Sequence, residues 1–445
     1  MADLEKRGLP CVLVSYALPD LVQISADAFL GAGLPGCRQV TCPADTALSD
    51  LGPWVPDMVD ALTRPLTAEE AASGTYQAPA PPRIAMTGTY DEVMAYYEGD
   101  LMATDAGGPW AWMTVGLPVV PPTEERVAMM LQGTSHSPDE VIEFGGWGKV
   151  PRAATLEKIA ANAVMAGCKP EYFPAVLAIA ETGACAGYPG DSSFGNMYVV
   201  SGPYAKEIGM NSGFCFLESG NPANMALEHA CQLMGVNLGN CLHGLNNLER
   251  TGSTHWGTTF AENPDTPWDT LNVDLGFESD ESVLLYFRSK VTLVPFQNME
   301  TKNTTSLEEC QPGTPDHIVA GLSTATQQRS GIILFTPDTA RWYRDKWGFD
   351  SIQEIQDYFW ENVVHPAGDW YNNYWFLTHT QRGRYESREP GIRQLNPDHL
   401  DLPPDTLIPM FDSPEAITVI VAGGSGDAWT FGFGGPSAIS IDKWR

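Results

Sequence analysis

The sequence predicts a layered α/β fold with two or three lobes, in which mainly parallel sheets are flanked by helices. Two observations lead to this prediction. Apolar, β-branched runs of strand length alternate with helical patterns, and Gly- or Pro-rich connectors separate them. The chain also has 445 residues, more than a single hydrophobic core usually holds. We therefore expect several domains and enough buried volume for an active-site cleft.

The first elements form a β-α-β pattern. Residues 9–17 (LPCVLVSYA) are an apolar run typical of a buried strand, residues 20–30 are helical in pattern, and a second strand is predicted around Arg38–Cys42. The intervening GAGLPG matches the glycine spacing of dinucleotide sites, but it follows a helix and precedes a strand. A dinucleotide site needs the reverse order, so we interpret it as a helix C-cap and turn.

Connectors divide the rest of the chain. GTYQAPAPPR at 74–83 and the Gly-, Pro- and Trp-rich passage at 107–122 interrupt the helical patterns. We predict α/β regions at 1–120, 121–290 and 291–445, the central one carrying most motifs. The remaining patterns predict helices near residues 123–132, 155–166, 171–181, 222–236, 338–346 and 351–362, and strands at 332–336 and 416–422.

The charge of the chain argues against two classes of partner. It has 25 Lys and Arg against 55 Asp and Glu, a formal net charge of −30 at pH 7, which opposes binding to nucleic acid or anionic membranes. No apolar run reaches the roughly 18 residues that a membrane span needs. The opening MADLEKRG also lacks the apolar core of a secretory signal. We expect a cytoplasmic protein that acts on a small molecule.

Nine cysteines are scattered along the chain without a close pair. An odd, dispersed set argues against a disulfide scaffold, and C-x-x-C and H-E-x-x-H motifs are absent from the sequence. We predict no metal site, and the sequence demands no cofactor. A metal-dependent enzyme that uses Cys and His ligands stays open as an alternative function.

Cys168 lies at the carboxyl end of the most clearly predicted helix. Within residues 153–172 (AATLEKIAANAVMAGCKPEY), apolar residues recur at helical spacing until Gly167 and Pro170 stop the helix. This position presents one thiol on a rigid platform, and Lys169 beside it would favour the thiolate. The alternative role of Cys168 is that of a small buried apolar side chain.

Loops supply the other candidate site residues. The glycine-rich loop at 181–191 carries the carboxyl of Asp191 and the thiol of Cys185. The polar passage at 251–263 carries His255, which is suited to proton transfer, and Glu262 at a strand end, for which a structural role is equally open. Asn221 and Pro222 begin a helix whose N-terminus offers backbone N–H groups to an anion; a simple capped helix is the alternative. The candidate catalytic residues are Cys168, His255, Cys185 and Glu262, and the candidate substrate-binding residues are Asn211, Gly213, Asn221, Asn224 and Asp191.

Several segments resemble the UGSC family of thiol and selenol proteins. The resemblance is carried by AANAVMAGCKPEYFPAVLA at 160–178, SGPYAKEIGMNSG at 201–213, SGNPANMALEHACQLMGVNLG at 219–239 and FAENPDTPW at 260–268. The opening LEKRGLPCVLV and the closing ITVIVAGG are similar too, so the resemblance spans nearly the whole chain. The opening segment is also similar to the selenol-bearing subunits of glycine-reductase-type enzymes.

The resemblance implies thiol or selenol chemistry carried by a loop of selenocysteine or cysteine, Gly, Ser and Cys. In the family this loop lies between a first strand and the helix that ends in LEKRG, whereas this sequence starts inside that helix and has no Cys-Gly-Ser-Cys. The region 1–120 is therefore predicted to lack its first strand. We expect a small partner polypeptide to supply the strand and loop, and we expect an oligomer. The alternative is that this lineage has lost the loop and uses other chemistry.

The resemblance also leaves the substrate open. Asp191, Ser192 and Ser193 stand where the family carries a stretch with threonine and histidine. We predict the large subunit of a cysteine-dependent enzyme, reductive or lytic, that acts on a small polar metabolite. Cys168 would be nucleophile or resolving thiol, the second thiol would come from Cys185 or the partner, and His255 would donate a proton. The alternative is a non-catalytic scaffold or substrate-binding subunit of the same complex.

Overall fold

A computed structural model gives the fold. It describes residues 9–17, 22, 38–43, 46, 50–68, 83–104, 107–144, 152–183, 196–239, 241–244, 258–288, 294–296, 314–323, 330–371, 401–426, 429–433 and 435–445. The chain divides into two compact units, which we describe separately. The first comprises Met1–Ala111, Trp147–Val150 and Leu242–Asn247, and the second comprises Trp112–Gly146, Pro151–Cys241 and Leu248–Arg445. The division at 1–120, 121–290 and 291–445 stays a prediction.

The first unit contains the predicted pair of parallel strands. Strand β1 (Val12–Tyr16) pairs in parallel with β2 (Arg38–Cys42). The helix and turn predicted between them lie largely outside the described residues. The Arg38 guanidinium donates hydrogen bonds to the carbonyls at the end of the following helix, where the helix dipole favours a cation. The other elements of this unit are helices α1 (Val55–Thr63) and α2 (Tyr90–Glu98) and the antiparallel strands β3 (Leu101–Thr104) and β4 (Gly107–Ala111).

The second unit contains the remaining described elements. Its helices are α3 (Glu124–Met130), α4 (Leu156–Met165), α5 (Phe173–Glu181), α6 (Pro203–Glu207), α7 (Pro222–Asn237), α8 (Leu271–Asp274), α9 (Pro315–Leu322), α10 (Pro337–Asp345), α11 (Ile352–Asn362) and α12 (Ala367–Tyr371). Its strands are β5 (Val141–Phe144), β6 (Arg152–Thr155), β7 (Asn196–Ser201), β8 (Thr259–Ala261), β9 (Val283–Arg288), β10 (Val294–Phe296), β11 (Gly331–Phe335), β12 (Val364–Pro366), β13 (Leu407–Pro409), β14 (Ile417–Val421), β15 (Trp429–Phe433) and β16 (Pro436–Ser440).

Two four-stranded sheets of the second unit share one pattern. The first has the order β16-β9-β7-β8 and the second has the order β10-β15-β11-β14. Each sheet has one parallel pair, β7 with β8 in the first and β11 with β14 in the second. On their other sides, β7 pairs with β9 and β11 pairs with β15, both antiparallel. The outermost antiparallel strand of each sheet comes from the other half of the unit, because β10 pairs with β15 and β16 pairs with β9. The unit is thus a duplicated arrangement with exchanged outer strands.

The predicted α/β class is confirmed, but the sheets are mixed where mainly parallel sheets were predicted. Antiparallel neighbours need no crossover helix, so the chain can pass directly from one strand to the next. This is how the antiparallel strands β3 and β4 of the first unit follow each other across only two residues. The run at 9–17, predicted as a buried strand, is only half-buried at residues 11–15, whereas β11 and β14 are buried along their whole length. The apolar runs carried no information about strand direction.

The second unit has four layers, helices, sheet, sheet and helices, and its core lies in three clusters between them. Alternate residues of β7 and β11 point to opposite faces, so one set from each sheet, including Val199 and Ile332, packs in a shared cluster between the sheets. The other set from β7, including Val200, packs against α4, α5 and α7. The other set from β11, including Phe335, packs against α10 and α11. Helices therefore cover the outer face of each sheet. Within the described part of the chain, no helix has the length and apolar character to cross a membrane.

Helix α4 forms where the sequence predicted it. The Thr155 hydroxyl accepts from the backbone N–H of Lys158 at the start of the helix, and Gly167 adopts a φ of 77° just after its end. The N–H of Gly167 donates to the Val164 carbonyl and that of Cys168 to the Ala163 carbonyl, the paired bonds of a Schellman motif. The glycine is needed because its φ is unfavourable for other residues.

Candidate functional site

The carboxyl ends of β8 and β14 adjoin. Asn263 is the second residue after β8, and its backbone N–H donates to the carbonyl of Val421, the last residue of β14, at 2.7 Å. Its side-chain amide donates to the Gly423 carbonyl at 3.0 Å and to the Ser212 carbonyl at 3.4 Å. Gly423 in turn donates its N–H to the Ser212 carbonyl at 2.8 Å. One asparagine therefore ties together both sheets and the loop that follows α6.

We call this region the strand-end junction and define it as residues 211–216, 262–265 and 421–426. Small-molecule sites of α/β proteins lie outside the carboxyl ends of parallel strands, because the loops there converge and backbone groups are free to meet a ligand. The junction meets this description for both sheets at once. It is therefore the candidate site of the second unit.

Four candidate substrate-binding residues lie together at or beside the junction. The Asn211 side chain donates to the carbonyl of Phe214 and to the Asn221 side chain, each at 2.8 Å, and its oxygen accepts from the N–H of Gly213 at 2.8 Å. Asn224, which is buried, accepts from the N–H of Asn211 at 2.9 Å and donates back to its carbonyl at 3.0 Å. These hydrogen bonds thus connect Asn211 to both Asn221 and Asn224.

Asn221 begins α7 as predicted, but its side chain does not cap the helix. Its amide donates instead to the carbonyls of Cys215 at 2.7 Å and Glu218 at 2.8 Å. The hydrogen bonds of Asn211, Asn221 and Asn224 therefore go to the loop before α7 and to one another. The structure places these residues together and shows that their amides shape the loop before α7; their substrate-binding role stays a prediction.

The same loop holds a thiol that the sequence analysis missed. Cys215 is exposed and adopts a φ of 57°, a left-handed conformation that is costly for a residue with a side chain. Phe214 beside it keeps 68% of its surface exposed, and its ring lies against the backbone of Gly424, where a Cβ would come within 2.3 Å of it. Nothing in the local sequence signals this exposure, because it follows from how the asparagines fold the loop.

Cys168 lies against α7 and is only partly exposed to solvent. Its thiol donates to the Ala226 carbonyl at 3.4 Å and packs on the main helical core. This burial raises the pKa of the Cys168 thiol well above its ordinary value, so the thiol is neutral at physiological pH. Lys169 points elsewhere, with its ammonium 3.9 Å from a Glu171 carboxylate oxygen and 5.7 Å from the Tyr172 ring centre. The surroundings of Cys168 therefore match the packing role.

Glu262 directly follows β8 and is buried. The Ser201 hydroxyl donates to its carboxylate at 2.6 Å, and the N–H of Leu271, the first residue of α8, lies 3.0 Å from both carboxylate oxygens. Burial raises the pKa of Glu262 to about 7, although these hydrogen bonds act in the opposite direction. Within the junction, Glu262 thus links β7, β8 and α8.

A second buried carboxyl, Glu228, was not singled out from the sequence. It lies on α7 and accepts from the hydroxyls of Thr259 at 2.5 Å and Thr258 at 3.4 Å. Burial raises its pKa to about 8. A signal did exist, because helical spacing places Glu228 on the same face as Cys231, which is buried against the sheet.

The other candidates cannot be placed. Cys185, Asp191 and His255 lie outside the described residues. Within the described ranges, no group of three or more His, Cys, Asp and Glu side chains is arranged to hold a metal ion.

Comparison with known proteins adds no relative. No family model, no curated protein and no solved structure matches this chain. The UGSC-family resemblance rests on the segments quoted above and stays a prediction.

Proposed function

We propose that the chain is the large subunit of a thiol-dependent enzyme that acts on a small polar metabolite at the strand-end junction. The observation that carries the proposal is the meeting of the carboxyl ends of β8 and β14 beneath a loop that presents the exposed thiol of Cys215. Ligands of α/β proteins bind at such ends, and thiol chemistry needs a cysteine that a substrate can reach.

Accessibility supports Cys215 over Cys168 for the thiol role. Among the described cysteines, Cys215 is exposed, while Cys42 and Cys231 are buried and Cys168 is held neutral against a carbonyl. A neutral buried thiol is a poor nucleophile because the thiolate is the reactive form. We therefore assign the nucleophile or resolving-thiol role to Cys215 and a packing role to Cys168.

The walls of the junction support a polar substrate. Arg341 on α10 donates to Asp265 at 2.8 Å and to Asp338 at 2.5 Å, and Asp338 accepts from the N–H of Gly426 at 2.5 Å. The Thr336 hydroxyl donates to the Gly426 carbonyl at 2.6 Å. These groups hold the loops after β8, β11 and β14 in a fixed arrangement. The rim they form is charged and hydrogen-bonding, which suits a polar metabolite better than an apolar one.

The small partner is part of the proposal. In the described part of the first unit, β1 and β2 form a sheet of only two parallel strands. Parallel strands are ordinarily found in larger, covered sheets, so a further strand from a partner would fit at an edge of this pair. Such a partner would also bring the second thiol that a reductive cycle requires.

The second candidate function is a non-catalytic scaffold that holds the metabolite for chemistry on the partner. It is favoured by one observation: Cys168, the thiol first expected to react, is neutral and engaged with the Ala226 carbonyl. In that case Cys215 would be accessible without taking part in turnover.

The experiment compares Cys215→Ser with Cys168→Ser in the full chain. Each variant is screened against a panel of small polar metabolites by thermal shift, alone and with the small protein encoded beside it, and turnover of any ligand found is then measured. The proposal expects Cys215→Ser to abolish turnover and Cys168→Ser to retain it. Full turnover by Cys215→Ser would contradict the thiol assignment. The scaffold function would be established by three results together. The chain alone binds the ligand without turnover, turnover appears only when the partner is added, and Cys215→Ser leaves that turnover unchanged.

A further inference from the structure

His136 has a hydrogen-bond acceptor on each ring nitrogen. It lies between the 3-10 turn Leu131–Gly133 and strand β5. Its Nδ1 is 2.8 Å from a carboxylate oxygen of Glu140, and its Nε2 is 2.7 Å from the backbone carbonyl of Lys443. The side chain keeps 28% of its surface exposed, so its protons exchange with solvent directly.

The two acceptors set the charge of the ring. A carboxylate and a carbonyl can only accept, so each ring nitrogen must donate for both hydrogen bonds to form. Neutral imidazole carries one N–H and can satisfy one of the two, whereas imidazolium carries two. The hydrogen bond to Glu140, followed by the one to Lys443, accordingly raises the pKa of His136 above its ordinary value.

Residues 441–445, which we call the latch segment, are held by this histidine and its neighbours. Trp444 packs its ring 4.8 Å from that of His136, and its backbone carbonyl accepts from the Thr134 hydroxyl at 2.6 Å. Its indole N–H donates to Glu181 on α5 at 2.9 Å. The segment follows β16, the exchanged outer strand of the first sheet. The contacts of the latch segment therefore help to hold β16 in the first sheet.

The latch segment also forms a wall of a cleft of about 520 Å³. Arg445 reaches into this cleft, donates to Glu207 at 2.6 Å and lies 5.6 Å from the centre of the Tyr204 ring. Its backbone oxygen accepts from the Ser135 hydroxyl at 2.5 Å. Release of the segment would therefore move a cation away from Glu207 and open the cleft on this side.

We infer that His136 is a pH-sensitive latch, which holds the latch segment while its imidazolium donates to both Glu140 and Lys443 and releases it when the ring is neutral. The charged groups on the elements packed against the ring are Glu140 on its own loop, Asp442, Lys443 and Arg445 on the segment, and Glu181 on α5, which pairs with the Lys443 ammonium. Histidine is the side chain among these whose ordinary titration falls near neutrality.

The direction of the effect follows from the raised pKa. A histidine whose pKa is higher in the closed state stabilises that state fully below its ordinary pKa of 6.5. The contribution is lost as the pH rises through the higher value of the closed state. The latch is thus closed in mildly acidic solution and loosens in mildly alkaline solution.

The test is hydrogen–deuterium exchange of the backbone amides of the latch segment in the full chain, with each rate divided by its intrinsic rate at that pH. Protection is expected to fall about fivefold between about pH 6 and about pH 8.5, as a charge-assisted hydrogen bond is lost. His136→Ala should show low protection at both values. Equal protection of the unmodified chain at both values would overturn the inference.

Glu140→Gln is the matched variant. A glutamine amide can donate to the lone pair of neutral Nδ1 while Nε2–H donates to the Lys443 carbonyl, so both bonds form without a charged ring. This variant should stay protected at both pH values. A fall in protection equal to that of the unmodified chain would contradict the mechanism, and it would do so even if His136→Ala failed to fold.

Discussion

The side-chain amide of Asn263 donates to the carbonyl of Gly423 at 3.0 Å, and this hydrogen bond spans the two sheets of the second unit. The two residues lie 160 positions apart in the sequence. Each follows the end of a parallel strand, β8 or β14, so their contact fixes where the two sets of loops meet. The geometry of the strand-end junction thus depends on a residue that itself need not touch a substrate.

Replacing Asn263 should destabilise the junction. Asn263→Ala removes the donors to Gly423 and Ser212 and the acceptor for the N–H of Asp265. Leaving such groups without partners costs about 1–3 kcal/mol, which a urea titration followed by fluorescence would detect. The control is Asn362→Ala, whose amide donates to the Tyr358 carbonyl on an exposed helix end. Equal destabilisation by the two variants would contradict a special role for Asn263.

Glu228 should make stability depend on pH. Burial raises its pKa from 4.5 to about 8, so between these values the folded chain binds a proton that the unfolded chain releases. Its contribution to stability is therefore greatest below pH 4.5 and falls as the pH rises towards 8. Glu228→Gln mimics the neutral carboxyl, so we expect a higher unfolding temperature than the unmodified chain at about pH 8.5 and little difference at about pH 5.

The control for this measurement is Glu361→Gln, an exposed glutamate of α11. Surface substitutions of this kind change stability by no more than about 0.5 kcal/mol, and the change should be alike at both pH values. A difference between Glu228→Gln and the unmodified chain that is the same at both pH values would show that burial does not shift the proton equilibrium of Glu228.

Gly202 should tolerate no side chain. It adopts a φ of 102° after β7, and a Cβ there would lie 2.4 Å from the carbonyl oxygen of Glu281 and 2.8 Å from the Cα of Ser282. Both contacts are to backbone, which cannot move away cheaply. We expect Gly202→Ala to cost about 3 kcal/mol or more, seen as reduced soluble yield and a lower urea midpoint.

Gly209 offers the matched comparison for Gly202. Its φ is 69°, and a Cβ would meet nothing within 4 Å. Gly209→Ala should therefore cost only the left-handed backbone penalty, about 1–2 kcal/mol. If the two alanine variants were equally stable, the close approach of Glu281 to Gly202 would be refuted.

The cysteines should differ in reactivity in the folded chain. Cys215 is exposed, whereas the Cys168 thiol is neutral and hydrogen-bonded to the Ala226 carbonyl. Iodoacetamide at about pH 8 should modify Cys215 at least about tenfold faster than Cys168, measured by peptide mass spectrometry over time. In urea the two rates should converge. Faster modification of Cys168 in the folded chain would mean that it is the accessible thiol.

Local patterns predicted six helices of the second unit, α3, α4, α5, α7, α10 and α11, close to their observed bounds. Helix α4 was expected at 155–166 and spans Leu156–Met165, because Thr155 at its start and Gly167 after its end fix its limits within a few residues. Strand β2 occupies the predicted Arg38–Cys42. In these cases the information lies in residues close together in the chain, through capping hydrogen bonds, apolar spacing and the conformational freedom of glycine.

The sequence by itself thus determined the α/β class, the positions of six helices of the second unit and the grouping of Asn211, Asn221 and Asn224 beside one helix start. Only the tertiary structure decided that β10 and β16 exchange sheets, that Cys168 is covered by α7 while Cys215 is exposed, and that Asn263 reaches Gly423. The physical reason is that strand direction, burial and hydrogen-bond partners depend on segments far apart in the chain. Periodicity shows that a residue is buried or helical, but it does not identify the neighbour.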